Sequence, residues 1–297
     1  MERTVSRVSP GSDLYYLDPG AFGPATYCAV YLYDTPRPAV IDTGLGTNYG
    51  TIIDALESVG IDCTDLAIVP THVHLDHAGG AGHLADACPG ADVYVHEAGA
   101  RHLADPSRLW AGTRAAVGEQ IQYYTEPKPV PEARIVELEE GDRIDLGDRA
   151  LSVHHAPGHA FHQAVFRDES TGGVFTADAA GVHSPDLDGV RPISPPPDFD
   201  LEDCLADVEM IRDLDPSALY YAHFGPTEPD GLLAAYAAVL EAWVNTVAEK
   251  RAELGDVDAV VEHVDPETAT LEAWGPIKAR AETAMNVRGV LQYLDAE

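Results

Sequence analysis

The first two thirds of the chain alternate short apolar runs with turn signals and a few helical repeats. Strands are predicted where β-branched and aromatic residues cluster between glycine- or proline-containing turns. A helix is predicted over 47–60, because its apolar residues fall on one face and Gly60 ends the repeat. The pattern is typical of a mixed α/β domain. The predicted strands are 26–33, 38–44, 66–70, 92–96, 134–138, 149–155, 162–167 and 173–177.

After Asp178 the pattern changes to long helical repeats. The proline-rich segment 189–200 is predicted as a loop, either the rim of a pocket or a rigid surface turn. A strand is predicted over 217–225, and Asp230 is the expected N-cap of the helix that follows it. The predicted helices of this part are 201–214, 230–255 and most of the remaining tail to residue 297.

Charge narrows the choice of partners. The chain has 18 basic and 50 acidic residues, for a net charge of −32. Such a surface repels phosphodiester backbones and anionic lipid, which argues against nucleic acid and membranes as partners. We expect a small-molecule substrate and leave a homodimer open. We interpret the excess carboxylate as adaptation to high salt, where screening shortens repulsion to about 3 Å at 1 M.

The cysteines and the N-terminus indicate a cytoplasmic protein. The four cysteines are scattered singly, so neither a thiolate metal site nor a disulfide framework is predicted, and we expect them to be buried. No N-terminal apolar stretch resembles a secretory signal, and no segment approaches the ~20 apolar residues of a membrane span. The cysteines are Cys28, Cys63, Cys88 and Cys204.

The segment THVHLDHAGG, residues 71–80, holds three histidines and an aspartate directly after a buried strand. In extended backbone His72, His74 and Asp76 point to the same side, where two imidazoles can chelate one ion. His77 breaks the alternation, and the glycines that follow permit a sharp turn toward a second ion. Nitrogen and carboxylate ligands without thiolate suit zinc, iron or manganese.

This segment resembles the metal-binding signature of the metallo-β-lactamase superfamily, and later segments resemble the family's other motifs in order. VIDTG (40–44) is similar to the early strand whose aspartate, here Asp42, lies behind the metals. The resemblance spans roughly residues 14–225. The later motifs are APGHA (156–160), VFTADAA (174–180) and YYAHFGP (220–226), which offer His159, Asp178 and His223.

The resemblance implies an α/β fold, the four-layer αβ/βα sandwich of this family. It also implies that residues 1–225 form a catalytic domain and that 226–297 form a helical extension packed on the same domain. Two divalent metal ions are implied, zinc foremost, with iron or manganese as alternatives. The implied ligands are His72, His74 and His159 for one ion, Asp76, His77 and His223 for the other, and Asp178 as the bridge.

The resemblance further implies a dinuclear hydrolase. Two such ions share a water that ionises near neutral pH, and the metal-bound hydroxide attacks a small-molecule ester, lactone or thioester. Asp76 and Asp178 are the catalytic candidates, because either can accept the nucleophile's proton for delivery to the leaving group.

Departures from the family pattern narrow the choice among the functional branches of the family. Ala160 stands where hydroxyacylglutathione hydrolases usually carry threonine, and the C-terminal region shows no evident basic cluster for glutathione. The 44 residues between Asp178 and His223 leave no room for a nuclease-type insertion. His74 stands where members that reduce oxygen or nitric oxide carry glutamate.

Two alternatives stay open. One is an oxidoreductase of the persulfide dioxygenase type, which is similar in its motifs but uses a single iron. The other is a non-catalytic metal-binding protein on the same fold. Specificity is expected from the 181–200 loop and the helical tail. Secondary pocket candidates are His154, His155, Tyr220 and Tyr221, whereas His83, His96, His102, His162, His183 and His263 are expected to be structural or on the surface.

Overall fold

The computed structural model describes residues 4–23 and 26–296. The termini of the two predicted domains, residues 1–3 and 297, lie outside this range. The strands are β1 Ser6–Arg7, β2 Leu14–Leu17, β3 Val30–Tyr33, β4 Ala39–Ile41, β5 Ala67–Val69, β6 Asp92–His96, β7 Ile135–Leu138, β8 Arg143–Asp145, β9 Ala150–His155, β10 Ala164–Asp168, β11 Gly173–Ala177, β12 Ala218–Tyr221 and β13 Gly225–Thr227. The helices are α1 Tyr49–Ser58, α2 Leu75–Ala78, α3 Ala81–Ala87, α4 Glu97–Ala104, α5 Ser107–Ala116, α6 Leu201–Asp213, α7 Leu232–Leu254, α8 Val257–His263 and α9 Thr268–Ala296.

The strands form two sheets, with the orders β1-β2-β3-β4-β5-β6-β7 and β13-β12-β11-β10-β9-β8. Strands β4 to β7 run parallel to one another, and β11 pairs in parallel with β12. Because parallel strands end at the same edge of a sheet, the loops after β4 and β5 emerge together, as do those after β11 and β12.

Side-chain alternation along the strands separates the layers. In β3, Tyr31 packs between the two sheets beside Phe175, whereas its neighbours Val30 and Leu32 pack on the opposite face with helical residues such as Ile52. The outer face of the second sheet packs against α6, α7 and α9. The result is the expected four-layer αβ/βα sandwich, helix–sheet–sheet–helix.

The helices after residue 226 share a core with the second sheet. Leu233, Tyr236 and Leu240 of α7 are buried in the cluster that also contains Val174 and Leu219 of the sheet. The predicted boundary between residues 225 and 226 falls inside β13, which pairs with β12. The sheet therefore continues past that point, and the helical part begins at α7.

Two predicted helix details are wrong. Helix α7 begins after Gly231, whose φ of 75° is left-handed, and Asp230 is not its N-cap. The tail helix α9 is broken at Gly275 (φ 76°, ψ 164°), and Pro276 follows. Proline lacks a backbone N–H and fixes its own φ, so a new helical segment starts there.

Cys28, Cys88 and Cys204 are buried as expected, whereas Cys63 is only partly buried.

In the described ranges, the helices lack the combination of length and apolar content that crossing a lipid bilayer requires.

Candidate metal centre

The histidines and aspartates singled out in the sequence meet at one end of the sandwich. Asp42 directly follows β4, residues 71–77 follow β5, and His159 lies in the turn between β9 and β10. Asp178 directly follows β11, and His223 follows β12. Each side chain is thus placed by the end of a strand, where the backbone is anchored in a sheet.

The segment 71–78 is not extended throughout, which corrects the predicted alternation. The N–H groups of His77 and Ala78 both donate to the carbonyl of His74, at 3.0 and 2.8 Å, and form the single turn α2. Gly79 and Gly80 permit this compact course, since a Cβ on Gly79 would lie 2.3 Å from the carbonyl oxygen of Leu75. The turn directs Asp76 away from His72 and His74 and toward the second group of ligands.

Three imidazoles form the first group. Nδ1 of His74 lies 3.0 Å from Nε2 of His72 and 3.0 Å from Nε2 of His159. A neutral imidazole has one hydrogen to donate, so a single N–H cannot satisfy both contacts. The three nitrogens converge as ligand atoms around a cation do.

The second group of ligands indicates a bound cation more directly. Nδ1 of His77 lies 3.0 Å from Oδ2 of Asp42, and Nδ1 of His223 lies 3.0 Å from the backbone carbonyl of Tyr27. Both oxygens are acceptors, so each Nδ1 carries a hydrogen, and in the neutral form of each ring the lone pair lies at Nε2. These two Nε2 atoms are 3.2 Å apart. Two lone pairs that face each other call for a cation or a proton between them.

Asp178 lies between the two groups. Its Oδ2 is 3.2 Å from Nε2 of His159 and 3.8 Å from Nε2 of His72. Its Oδ1 is 3.4 Å from Nε2 of both His77 and His223. Oδ1 is buried and makes no hydrogen bond to any residue that the structure describes. One oxygen therefore faces each group, as the bridging role requires.

The local potential favours positive charge. Burial by itself would raise the pKa of Asp178, but the imidazoles of His77, His159 and His223 hold that pKa far below its ordinary value. Burial likewise opposes protonation of His77, yet Asp178, Asp42 and Asp76 raise its pKa well above the usual one. Within the described ranges, the ion-pair partners of these three carboxylates are all imidazoles.

The residues present fit divalent metal ions. Neutral imidazole and ionised carboxylate are the donor set that zinc, iron and manganese accept. Burial lowers the pKa of both His72 and His74. Nearby imidazoles add to this effect at His72, whereas at His74 Asp76 and Asp178 oppose it without reversing it, so both rings favour the neutral form that binds metal. The residue groups whose ligand atoms lie within 4.8 Å of one another are His72–His74–His159, His72–His77–Asp178 and Asp76–His77–His223.

Asp42 supports the centre from behind. Its Oδ1 accepts hydrogen bonds from the backbone N–H and the hydroxyl of Thr71, at 2.8 and 2.9 Å, while Oδ2 holds His77. One carboxylate thereby ties the start of the histidine segment to a ring within it. This is the outer-shell arrangement that fixes a ligand's tautomer and orientation.

The turn that carries His159 is held by α6. The N–H of Gly158 donates to Oδ2 of the buried Asp207 at 2.8 Å, and burial raises the pKa of Asp207 to about 7. A Cβ on Gly158 would lie 2.2 Å from the backbone nitrogen of Cys204 in the same helix. Only glycine permits this close approach.

A cavity of about 560 Å³ opens onto the centre and is lined on that side by His74, Asp76, His159 and Asp178. Ile193 and the prolines at 195–197 form part of its wall, so the proline-rich loop is a pocket rim and not merely a surface turn. Helix α9 forms another part of the wall. The expectation that this loop and the helical tail border the pocket is confirmed.

Sequence reasoning missed two cavity histidines and favoured others that lie elsewhere. His102 and His162 line the cavity, and the ring of the buried His162 lies parallel to that of His72 at 6.0 Å. The available signal was the position of His162, three residues after His159. In contrast, His155 stacks on His96 at 4.1 Å, away from the cavity lining. His154 also lies outside the lining, and Tyr220 and Tyr221 are buried in the cores.

The family model of the metallo-beta-lactamase superfamily matches residues 23–223. Among curated relatives, the acyl-coenzyme A thioesterase MBLAC2 of Gallus gallus is 30% identical over 185 residues, which cover 57% of this chain and 63% of the relative. The human protein of the same name is 31% identical over 159 residues, covering 48% and 54%. An uncharacterized protein of Mycobacterium tuberculosis is 35% identical over 129 residues, covering 43% and 53%. The chain thus spans about half to two thirds of the length of these relatives.

Solved structures show the same fold. An archaeal metallo-beta-lactamase superfamily protein from Sulfolobus tokodaii superposes with a TM-score of 0.69 at 22% identity, covering 95% of this chain and 100% of the other. A family protein from Thermus thermophilus gives a TM-score of 0.64 at 23% identity, covering 91% and 88%. Because the family model spans well over half of the sequence, the chain belongs to the metallo-beta-lactamase superfamily.

Proposed function

We propose that the protein is a metal-dependent hydrolase of small-molecule acyl thioesters. The observation that carries this proposal is the position of Asp178, whose two carboxylate oxygens face two separate groups of imidazoles at the floor of an open cavity. The MBLAC2 relatives are named acyl-coenzyme A thioesterases. These names support a thioester as the bond that is cleaved, ahead of an oxygen ester or a lactone.

Hydrolysis of a thioester adds water across the bond between the acyl carbon and sulfur and releases a carboxylic acid and a thiol. Two divalent cations, held by the seven ligands, would supply Lewis acidity toward the carbonyl and lower the pKa of water toward about 7. Asp178 would hold both ligand groups in register, and Asp42 would keep Nε2 of His77 free of hydrogen.

Asp76 is the better placed of the two catalytic carboxylates to hold a proton. Its side chain is 20% exposed and lines the cavity, whereas that of Asp178 is 2% exposed and both its oxygens face imidazoles. In this proposal the Asp76 carboxylate accepts the proton released from water and returns it to the thiolate that leaves. Water reaches that carboxylate directly from the cavity.

The test combines metal analysis with turnover on one sample. We expect two metal ions per chain and hydrolysis of octanoyl thioesters, with weaker activity on the matching oxygen ester and lactone. His74→Ala should abolish hydrolysis and lower the metal content. His83→Ala is the matched control, because the partly exposed His83 lies near the same motif and stacks on Tyr49 outside the cavity.

Two results would contradict the proposal. One iron per chain with oxygen uptake in the presence of a persulfide would favour the oxidoreductase alternative. A fully metal-loaded protein that hydrolyses none of the thioesters, esters and lactones would favour a non-catalytic binding protein.

A further inference from the structure

Three arginines differ from every other described arginine. The side chains of Arg108, Arg280 and Arg288 make no hydrogen bond, ion pair or cation–π contact with any residue in 4–23 or 26–296. Elsewhere in that part of the chain, arginines contact carboxylates, as Arg143 and Arg212 do, or carbonyls, an imidazole or an aromatic ring. In a chain with 50 acidic and 18 basic residues, carboxylate partners are abundant. The charge of Arg108 lowers the pKa of Asp105 without a direct ion pair, after the larger effect of the hydrogen bonds from Ser107. Three guanidinium groups without a direct contact are therefore unexpected.

All three lie at the same place. Arg108 lines the cavity above the metal centre, and Arg280 lines an adjoining cavity of about 500 Å³. Arg288 lines both cavities, which also share Ala116 and Val117. The two cavities thus adjoin each other, and together they form a path that leads outward from the ligands past the three arginines.

The other charged groups along this path are mostly compensated. Lys278 is buried, donates to Glu282 at 2.5 Å and lies about 4 Å from the ring centres of Phe22 and Tyr27, so this pair adds no net charge. Outside the metal centre and this pair, the acidic residues lining the two cavities are Asp198 and Glu119. Arg101 also lines the inner cavity and donates to His102 at 3.2 Å. Positive charge therefore exceeds negative charge along the path, although the chain as a whole is strongly acidic.

Part of the wall of the inner cavity is apolar. Leu75, Leu109, Phe161 and Met285 line the inner cavity. An acyl chain fits this surface, because burying apolar atoms there removes them from water. A guanidinium group binds phosphate through paired N–H donors, and several arginines together suit a ligand with more than one phosphate charge.

We propose that Arg108, Arg280 and Arg288 bind the phosphate groups of the thiol carrier of the substrate. The acyl chain lies in the apolar inner cavity, and the carrier extends through the outer cavity between α5 and α9. Helix α9 thereby selects substrates with an anionic carrier. This inference rests on the proposed thioesterase function for its account of turnover, but its binding step does not depend on hydrolysis.

The experiment compares carriers at constant acyl group, with metal-loaded protein. The substrates are octanoyl-coenzyme A, which carries phosphates, and octanoyl-N-acetylcysteamine, which is neutral. We expect Arg288→Ala to lower kcat/KM for the coenzyme A thioester about tenfold, mainly through KM, and to change the neutral thioester less than twofold. Arg280→Ala and Arg108→Ala should act in the same direction. Arg212→Ala, on the exposed face of α6, removes the same charge outside both cavities and should leave both substrates unaffected.

Binding is measured separately by calorimetric titration with free coenzyme A. We expect the wild-type protein to bind it, Arg288→Ala to weaken the affinity about tenfold, and added salt to weaken wild-type binding more than that of the variant. If the neutral thioester is hydrolysed while free coenzyme A does not bind, or if Arg288→Ala and Arg212→Ala have equal effects, this inference is wrong and the proposed function stands.

Two further results separate the remaining cases. If neither thioester is hydrolysed but coenzyme A binds through the arginines, the proposed function is wrong and the carrier site stands. If the N-acetylcysteamine thioester of adipic acid, with its carboxylate on the acyl side, is the preferred substrate and loses activity in Arg288→Ala, the arginines bind the acyl end and the carrier assignment is overturned.

Discussion

At the floor of the cavity five imidazoles and two carboxylates form groups whose ligand atoms lie within 4.8 Å of one another, whereas at its mouth three guanidinium groups make no hydrogen bond or ion pair with the residues that the structure describes. The floor is buried, and its rings are oriented by Asp42 and by the carbonyl of Tyr27. The mouth is exposed, and its charges extend from two helices, α5 and α9. In the proposed function the floor would carry out hydrolysis, and the mouth would bind the part of the substrate that carries negative charge.

Asp178→Asn is expected to have the largest effect on the metal centre at the floor of the cavity. An amide keeps the shape of the side chain but lacks the charge that faces both imidazole groups, so we expect kcat/KM to fall by more than the roughly 100-fold typical for loss of an outer-shell partner. Metal content, measured by elemental analysis, should fall as well. Activity near that of the wild type would remove the basis for a bridging role.

Asp42→Asn tests whether Asp42 orients the ligand His77 at the floor of the cavity. Asp42 has a φ of 58°, and asparagine tolerates this left-handed conformation, so the fold should persist. The amide can no longer act as a charged acceptor for Nδ1–H of His77, and we expect a loss of about 10- to 100-fold in metal affinity, measured by chelator competition. Asp54→Asn, on the exposed side of α1, is the control. An unchanged affinity would mean that His77 is oriented without Asp42.

Gly158→Ala tests how tightly the turn of His159 is packed. The added Cβ meets backbone atoms of Cys204 at 2.2 and 2.5 Å, and overpacking of this kind costs about 1–3 kcal/mol in the free energy of unfolding. Gly50→Ala is the matched substitution, since nothing lies within 4 Å of a Cβ there. It should be neutral or stabilise α1 by less than about 1 kcal/mol. Equal effects in denaturant titrations would show that the turn can relax.

Asp207→Asn is expected to change activity least, and its effect is visible in the pH dependence of stability. Because burial raises the pKa of Asp207 to about 7, its neutral form contributes stability that is fully present below the unfolded value near ~3.9. That stability is lost as pH rises toward about 7. Asparagine does not ionise and can still accept from Gly158.

We therefore expect the melting temperature of Asp207→Asn, relative to the wild type, to rise between pH 4 and 7 and to stay level above that. Asp213→Asn, at the exposed end of the same helix, provides the comparison. A difference that does not vary with pH would show that Asp207 titrates near its ordinary pKa.

Much of the fold could be predicted from local sequence patterns. The elements that were not predicted are those whose local patterns are weak. The strands around the ligands were predicted because their apolar residues alternate between turn signals. Strands β1, β2, β8 and β13 were not predicted. Arg143–Asp145 and Gly225–Thr227 lack the apolar run that identified the equally short β4 and β5. The single turn α2 was missed because its four residues depend on hydrogen bonds to His74 and on the packing of Gly79.

The sequence by itself determined the family and the seven ligand candidates, because each of them sits in a short motif at the end of a strand. Local spacing suffices there, since the sheets align those strand ends. Only the tertiary structure showed that His162 borders the cavity and that Arg108, Arg280 and Arg288 line two adjoining cavities. These residues come from separate elements, and their side chains meet only after the helices have packed, which no local pattern specifies.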